Sequence, residues 1–559
     1  MIRKREAGRA ARGALAGWIV LAALLWLVAY PLAIVFLESL RGPGGWTLEA
    51  FRVFASRGTE WSALWGSLWL SVASVVLAGL IGVPLAFLFS GVEFPGRRLL
   101  GALVALPVVL PPLVGVIAFL FLYGETGFAA HLVQAVLRRD EAPWRLEGAG
   151  AVLLVHAYSM YVYFYLFTRA ALERFDGSLL EAAASLGAGR WRAVWRVVVP
   201  ILRPSLAGAA LLTFMAALAS FSAPYIFGGG FRVMTTQIVA TRLNGESGLA
   251  MAETVALTAV ALAGLWVLRR TESRGGAITA SKGAAPVTRQ SVPRLARWGL
   301  AALAWTFAVL LLLPHLTLLL LSFVPLGTWT AEALPPAYTV RNYLEVFGEP
   351  ERLRPLANSL WMALAATAAA VAVALAAGIL VVHRRVRGGG LIESLMALPW
   401  VVPGTVFALA LATAFSVRAP LAARFILVGT IWILPLAYLI RNLPITGRVV
   451  LAGFRQLDPS LPEAAAILGA GRRRTLTHVI LPLLRPAVAA GAALAFVTAL
   501  GDFVTSVLLY TYDTRPISLE ILSSLRQGDV GVAAVYGVVL MLCSALAFAL
   551  GREREAVLG

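Results

Sequence analysis

Few side chains in this sequence are placed to carry out covalent chemistry. The five histidines are scattered without the spacing of metal ligands, and the one cysteine, Cys543, excludes a disulfide framework or a cysteine metal cage. The phosphate-binding loop G-x-x-x-x-G-K-S/T does not occur, and the only lysines are Lys4 and Lys282. No serine or cysteine lies in a nucleophile constellation. We therefore expect no metal site, no bound cofactor and no catalytic activity in this chain.

The composition excludes a water-soluble protein. Of the 559 residues, 60% are hydrophobic and only 13% are charged, and the mean hydropathy is +0.83. A globular protein has about 25% charged residues, and apolar residues in this excess cannot all be buried in a soluble fold. We therefore expect an all-α polytopic membrane protein.

Twelve apolar runs are long enough to cross about 30 Å of hydrocarbon, which takes roughly 20 helical residues. They lie near residues 14–37, 64–90, 99–123, 149–172, 204–228, 250–268, 298–323, 358–382, 391–416, 425–443, 486–510 and 530–550. An even number of spans places both termini on one side. With that side cytoplasmic, 32 of the 47 Lys and Arg residues lie inside and 15 outside, as the positive-inside rule requires. We therefore interpret the net charge of +19 as a topology signal rather than as nucleic-acid binding.

The chain contains the same sequence twice. Residues 176–207 align without a gap with residues 458–489, and 19 of these 32 positions are identical. Early in each half, matching residues are 292 positions apart, and later they are 282 apart. The first half therefore carries ten extra residues between these two regions, and we place them in the loop around residues 124–148. Six spans per half give the two copies the same orientation, as parallel repeats around an axis along the membrane normal.

The repeat divides the chain into five segments. We predict a cytoplasmic N-terminus (1–13), a first repeat of about six spans (14–268), a cytoplasmic linker (269–297), a second repeat of about six spans (298–550) and a cytoplasmic C-terminus (551–559). The linker is rich in Gly, Ala, Ser and Arg and has no apolar helical pattern.

One cytoplasmic loop has nearly the same sequence in both copies, whereas the membrane spans are similar mainly in composition. The shared residues are Glu181, Ala182, Ala183, Gly187 and Pro200 in the first copy and Glu463, Ala464, Ala465, Gly469 and Pro482 in the second. A capped structural turn would explain one copy. Two near-identical copies on the same face favour a docking surface for two identical partner subunits.

The loop sequence predicts a helix–turn–helix elbow. In the first copy, Ser178 lies three residues before Glu181, which is the spacing of a capping box. The Ala-rich helix should end at Gly187, a second short helix should occupy residues 190–199, and Pro204 should open the next span. The second copy predicts the same fold.

This loop resembles that of a known family. Glu-Ala-Ala, three residues, Gly, nine residues, then an aliphatic residue, any residue, an aliphatic residue and Pro is the signature of permease subunits of binding-protein-dependent ABC importers. Both copies match, and the one departure is Val199 where Leu is usual. Two linked permease domains cover nearly the whole chain, which resembles the fused permeases for ferric iron and, more distantly, those for thiamine, aminoethylphosphonate and polyamines.

The resemblance implies a fold like that of type I ABC importer permeases, in the cytoplasmic (inner) membrane. It also implies two copies of a cytoplasmic ABC ATPase, which would bind ATP with Mg, and an extracytoplasmic solute-binding protein. Ferric iron is the preferred solute, with thiamine, aminoethylphosphonate or a polyamine as alternatives. The alternative from a different class is an autonomous secondary transporter or channel, which would need no ATPase.

Five residues are candidates for the solute pathway. Pro107 and Pro399 lie at matching positions in the third and ninth spans, where proline kinks a helix and exposes carbonyls, although a purely structural kink explains them equally well. Ser220, Tyr225 and Asp502 lie in the fifth and eleventh spans. A carboxylate within a span indicates a functional role, with a helix-to-helix hydrogen bond as the competing explanation. We expect Asp502 about 24 Å along a helix from the start of its span, where it could meet a cation.

Overall fold

The computed structural model describes residues 15–42, 44–138, 141–273, 293–329, 334–383, 386–416, 426–458 and 460–556. Within these ranges the protein is helical apart from turns and one short antiparallel pair of strands, β1 (Arg41–Gly42) and β2 (Gly45–Trp46). The all-α fold class predicted from the composition is confirmed. The predicted tails and most of the predicted linker, residues 274–292, lie outside the described residues.

Each half consists of long helices joined by short ones. In the first half the helices are α1 (Leu15–Ser39), α2 (Glu49–Ser56), α3 (Gly58–Gly91), α4 (Arg97–Leu103), α5 (Pro112–Tyr123), α6 (Phe128–Leu137), α7 (Gly148–Glu173), α8 (Ser178–Ser185), α9 (Trp191–Leu218), α10 (Ser222–Phe227), α11 (Met234–Leu243) and α12 (Ser247–Ser273). In the second half they are α13 (Arg294–Leu321), α14 (Arg341–Gly348), α15 (Pro350–His383), α16 (Gly389–Val401), α17 (Gly404–Ala414), α18 (Ile433–Gln456), α19 (Ser460–Ile467), α20 (Arg473–Leu500), α21 (Ser506–Leu509), α22 (Ile517–Arg526) and α23 (Val530–Ala556).

Within the described ranges, ten helical stretches are long and apolar enough to cross a membrane, with α5 and α6 counted together as Pro112–Leu137, and the bent pair α16–α17 makes eleven if it is one span. The expected number of twelve is therefore not established. The span predicted at residues 425–443 was wrong in its bounds, because the helix there, α18, begins at Ile433 and ends at Gln456. Arginines interrupt the apolar pattern of α18 every seven residues, so a span assigned from hydropathy ends before the helix does. They are Arg441, Arg448 and Arg455.

The third and ninth spans are broken at prolines, as the sequence predicts. After α4 the chain makes a 3-10 turn over Leu106–Val109, which includes Pro107, and α5 begins directly after Pro111. In the second half Pro399 lies inside α16, and α17 begins directly after Pro403 at an angle of 111° to α16. The pair cannot form one straight helix, because proline fixes φ and lacks the amide hydrogen that would continue the bonding ladder.

Small residues hold the helices of each half close together. Helix α3 packs along α7, and α15 packs along α18. A Cβ added to Gly82 would overlap the Tyr161 carbonyl, and one added to Gly378 would overlap the Phe454 ring. Such close contact of backbones through Gly and Ala is the usual way in which membrane helices gain packing energy.

The two halves exchange their first long helices. Helix α1 of the first half packs against α17 of the second, and α13 of the second half packs against α5 of the first. Trp26 of α1 contacts Phe415 edge-on at 5.0 Å between ring centroids. Because each broken span is covered by a helix from the other half, the centre of the molecule is built from both repeats.

The loop that we expected to hold the ten extra residues of the first half contains a helix. Helix α6 occupies Phe128–Leu137, and Phe128 stacks on Trp329 with 4.4 Å between ring centroids. The corresponding part of the second half includes residues 417–425, which lie outside the described residues.

Candidate functional site

The two predicted elbows begin with an aspartate. Asp176 Oδ1 accepts a hydrogen bond from the Ser178 amide at 3.0 Å, and Asp458 Oδ1 accepts one from the Ser460 amide at 2.9 Å. The predicted capping box was wrong, because no side-chain cap from Ser178 is formed and the carboxylate two residues earlier takes its place. Hydrogen bonds from the Ser460 amide and hydroxyl lower the pKa of Asp458.

Both elbows turn at the predicted glycine. Gly187 has φ +76° and Gly469 has φ +79°, a left-handed conformation that side chains disfavour. The amides of Gly187 and Ala188 donate to the carbonyls of Ala184 and Ala183 at 2.9 and 3.0 Å. The second elbow has the same pair of bonds, at 3.0 and 2.9 Å. This bonding pattern, the Schellman motif, satisfies the last carbonyls of each short helix.

The segment after each turn differs from the prediction. No separate second helix opens into a new span at Pro204 or Pro486, because both prolines lie inside one continuous helix, α9 or α20. A π turn over Val194–Val198 or Leu476–Ile480 precedes the earlier proline of each copy. The wider turn lets the helix continue past a residue that has no amide hydrogen.

Each elbow presents an apolar tip to the solvent. Leu186 is 89% exposed and Leu468 is 87% exposed. Glu181 and Glu463 are exposed as well, and Ile467 next to Leu468 and Trp191 after the first turn add exposed apolar surface. On the inner side, Leu180 packs against the buried Phe175 and Val198. The first elbow thus has an exposed tip and a packed inner side. We call the end of the helical bundle that carries both elbows the elbow face.

At their other ends, α9 and α20 both break at equivalent positions. Helix α9 ends at Leu218 and α10 begins at Ser222, while α20 ends at Leu500 and α21 begins at Ser506. Phe221 and Phe503 lie in these two breaks and are each 1% exposed. Their ring centroids are 5.6 Å apart. One buried aromatic residue from each half thus meets at the contact between the halves, and we call this contact the aromatic seal.

Tyr225 covers the aromatic seal. Its ring stacks on Phe221 at 5.1 Å with 21° between the planes, and it contacts Phe503 at 6.0 Å. Arg526, at the end of α22 in the other half, donates a hydrogen bond to the Tyr225 hydroxyl. Beside the seal, Pro111 packs so closely on Gly501 that a Cβ there would be 2.7 Å from the proline.

The polar residues next to the seal differ between the halves. In the first half, His156 hydrogen-bonds to Ser74 and to Ser220, each at 2.8 Å. In the second half, Asp502 forms an ion pair with Arg441, and the Thr505 hydroxyl donates to the Asp502 carboxylate at 3.1 Å. Ser220 and Asp502 are thus brought to the same level, one on each side of the seal.

The structure corrects the expected setting of Asp502. It lies in the break between two helices rather than along a continuous one, and its Oδ1 accepts from the amides of Thr505 and Ser506 at 2.9 and 3.2 Å. The carboxylate therefore caps α21, and Arg441 balances its charge. The competing explanation, a contact between helices, describes this geometry better than a free carboxylate facing a cation does.

Of the predicted pathway residues, Ser220, Tyr225 and Asp502 lie at the seal. Pro107 lies in the 3-10 turn that breaks the third span, whereas Pro399 lies inside α16, one turn before the break at Pro403. Sequence reasoning missed His156, Arg441 and Arg526. The sequence held a signal for Arg441, because an arginine in an apolar helix needs a partner. Within the described ranges, no group of three or more His, Cys, Asp or Glu side chains could hold a metal ion.

These features define a class of protein. Paired repeats of apolar helices, an exposed elbow on each, and an aromatic contact between the two halves are the features expected of a solute permease. The chain belongs to the family described as "Binding-protein-dependent transport system inner membrane component", whose sequence profile matches residues 78–274 and 368–552. It is thus an ABC importer permease with two fused permease domains, which confirms the resemblance found in the sequence.

Relatives of this kind align over nearly the whole chain. The chain is 31% identical over 545 residues to the probable ABC transporter permease protein y4fN of Sinorhizobium fredii, covering 95% of each chain. It is 26% identical over 546 residues to the ferric transport system permease protein FbpB of Actinobacillus pleuropneumoniae, covering 95% of this chain and 76% of that one. It is 28% identical over 514 residues to the thiamine transport system permease protein ThiP of Escherichia coli, covering 87% and 89%.

Among solved structures, a bacterial ABC transporter involved in the import of the acidic polysaccharide alginate matches with a TM-score of 0.40 and 18% sequence identity. The match covers 49% of this chain and 99% of that chain.

Proposed function

We propose that this chain forms the transmembrane pathway of an ABC importer and that each elbow receives one copy of a cytoplasmic ATPase. The observation that carries this proposal is the matched pair of elbows, with the same cap, the same turn and an exposed leucine at the tip. Two equivalent surfaces fit two copies of one partner. That partner would bind ATP with Mg, which this chain has no phosphate-binding loop to hold.

The proposed orientation places the elbow face in the cytoplasm and the far end of the bundle outside the inner membrane. The uneven division of basic residues, 32 against 15, supports it. A solute-binding protein would then deliver its cargo at the far end, which agrees with the family description.

The continuous helices suggest how the elbows act on the seal. Helix α9 runs unbroken from Trp191 to Leu218, which is about 42 Å at about 1.5 Å per residue. Phe221 lies three residues beyond its end. A displacement of the elbow by a closing ATPase would therefore be carried along α9 to the break that holds Phe221, and α20 would carry it to the break that holds Phe503.

We propose ferric iron as the solute, because the ferric permease FbpB aligns with 95% of this chain. Thiamine is the second candidate, because ThiP aligns with 87% of this chain at a similar identity. The proposal for iron does not rest on Asp502, since Arg441 occupies that carboxylate.

Uptake into proteoliposomes tests both parts of the proposal. The full chain is reconstituted with an ABC ATPase and a solute-binding protein from the same organism, and ATP-driven uptake of radioactive ferric iron and thiamine is compared. We expect iron uptake that requires ATP. Uptake of thiamine alone would replace the solute, and ATP-independent uptake without any partner would favour the secondary-transporter alternative.

Leucine-to-aspartate changes at the elbow tips test the coupling surface. Leu186→Asp and Leu468→Asp should each weaken the association with the ATPase, because a charge replaces the exposed apolar tip. Leu243→Asp is a control, since Leu243 is another exposed leucine, on α11 away from the elbows. Normal ATPase association in the doubly substituted elbow protein would contradict the docking role.

A further inference from the structure

Arg526 connects the two halves on the solvent side of the aromatic seal. Its guanidinium donates to the Tyr225 hydroxyl and lies 6.0 Å from the centroid of the Tyr225 ring. Tyr225 is half-buried over the seal, whereas Arg526 is exposed. The order from the centre outward is therefore Phe221 and Phe503, then Tyr225, then Arg526.

The two partners are fixed to different halves. Helix α22 is tied to the second half, because the Ile517 amide donates to Ser359 Oγ and Ser518 Oγ donates to the Asp502 carbonyl, each at 2.8 Å. Tyr225 belongs to α10, which packs on α7 and α5 of the first half. Any separation of the halves at this end must therefore pull Arg526 away from Tyr225.

The repeat supplies this contact once rather than twice. The counterpart of Arg526 in the first half is Leu243, which is exposed at the end of α11, and the counterpart of Tyr225 in the second half is Val507. A leucine and a valine cannot make a hydrogen bond. The contact is therefore a specific addition to one side of an otherwise repeated frame.

We propose that the Arg526–Tyr225 contact is a reversible latch that holds the aromatic seal closed and opens in each transport cycle. The inference deepens the proposed function, on which it rests. A hydrogen bond and a cation–π contact at an exposed site are weak enough to break repeatedly, and together they would shift the ratio of closed to open seal by about five- to tenfold.

The experiment measures opening directly on the full chain in lipid nanodiscs. Spin labels are attached at Asn244→Cys and Gln527→Cys in a Cys543→Ser background. These exposed residues directly follow α11 and α22, one in each half. In Arg526→Leu, which copies Leu243 and loses both interactions, the longer-distance population should rise about five- to tenfold relative to the closed one. In Tyr225→Phe, which keeps the ring and its cation–π contact and loses only the hydrogen bond, it should rise less, about two- to threefold.

The double variant and two controls decide the result. Because Arg526→Leu already removes both interactions, the double variant should open no more than Arg526→Leu alone. Leu243→Ala should leave the distances unchanged, and Arg526→Lys should lie between wild type and Arg526→Leu. Unchanged distances in both single variants, or additive effects in the double variant, would overturn the latch.

Failure of the latch can be told from failure of the proposed function, because the distances are measured without ATPase or solute. If the variants open the seal but no partner supports ATP-driven uptake, the latch stands and the importer proposal fails. If ATP-driven uptake is normal and the distances do not change in the variants, the importer proposal stands and the latch fails.

Discussion

The two halves of this permease share their backbone devices and differ in their charges. Both elbows have an aspartate cap and a left-handed glycine, and both long helices break at a phenylalanine. Beside the break, however, the first half has a neutral histidine–serine network and the second has an ion pair. Under the proposed function, the shared parts suit a task that is the same on both sides, the docking of two equal partners, and the divergent parts suit contact with one solute.

A second difference lies where α3 and α15 begin. In the first half, Glu60 and Glu253 are fully buried, with the Gln237 side chain donating to Glu60 at 3.1 Å and the Thr241 hydroxyl donating to Glu253 at 2.7 Å. At the place of Glu60 the second half has Arg352, which pairs with Asp529 at 3.1 Å. The same corner of the fold is thus built from neutral donors and two carboxyl groups in one half and from an ion pair in the other.

The largest expected effect, on ATP-driven uptake, comes from replacing the left-handed glycine that both elbows share. Gly187→Val or Gly469→Val forces a β-branched side chain into a left-handed conformation, which costs about 1–2 kcal/mol or more locally. Either change should lower ATP-driven uptake at least tenfold, with the chain still inserted, and the double variant should be inactive. Gly187→Asn is the matched control, because asparagine tolerates this conformation, and it should keep most of the uptake.

Loss of the Arg441–Asp502 ion pair should have the next largest effect, and the first half has no such pair at the equivalent position. Arg441→Ala leaves Asp502, whose side chain is 5% exposed, without its cation, so we expect a loss of about 3–5 kcal/mol in unfolding free energy. The counterpart in the first half is Ser159, which bonds only to a backbone carbonyl in its own helix. Ser159→Ala should cost about 1 kcal/mol or less. Unfolding in detergent, followed by circular dichroism, measures both losses of stability. Equal losses would show that the two sides of the aromatic seal depend on the same forces.

His156 should matter less than Arg441. His156→Phe removes bonds to two hydroxyls, of which Ser74 keeps its bond to the Leu70 carbonyl at 2.7 Å. We expect a loss of about 1–3 kcal/mol, read from the same unfolding curves. His156→Tyr, which copies Tyr438 at the equivalent position of the second half, should recover part of it. A loss as large as that of Arg441→Ala would contradict the contrast between a neutral and a charged side of the seal.

The smallest effect is expected at the buried carboxyl pair. Glu253→Gln keeps the side-chain shape and an acceptor for Thr241 while removing one of two neighbouring acidic groups, so stability should change by about 1 kcal/mol or less. Arg352→Gln leaves the mostly buried Asp529 unpaired and should cost more, about 1–3 kcal/mol. A larger loss in Glu253→Gln than in Arg352→Gln would reverse this comparison.

The elbows could be predicted from the sequence because their structure is local. A glycine that ends a helix and an acidic residue that begins one act within a few residues of their own positions. The error lay in the choice of cap, since Ser178 and Asp176 are both good N-terminal residues and the sequence does not rank them. The continuity of α9 past Pro204 was also missed, because proline inside a helix is normally a stop signal.

The seal could be predicted only in part, because its contacts are long-range. Ser220 and Asp502 were found from their matching places in the repeat. Asp502 lies 61 residues from Arg441, and Tyr225 lies 301 residues from Arg526, so no local pattern links either pair. The arginines of α18 lowered its apparent hydropathy, and the same charge that obscured the helix pairs with Asp502.

The caps of the elbows have a thermodynamic consequence for association. Helix α8 contains eight residues, too few to be stable alone in water. Ordering them only on binding would cost roughly 8–16 kcal/mol of conformational entropy at about 1–2 kcal/mol per residue. Because an aspartate and a left-handed glycine already fix both ends, a docking partner meets a preorganised surface. The affinity for that partner can then come from a small contact area at the tip, and dissociation and rebinding need not refold the loop.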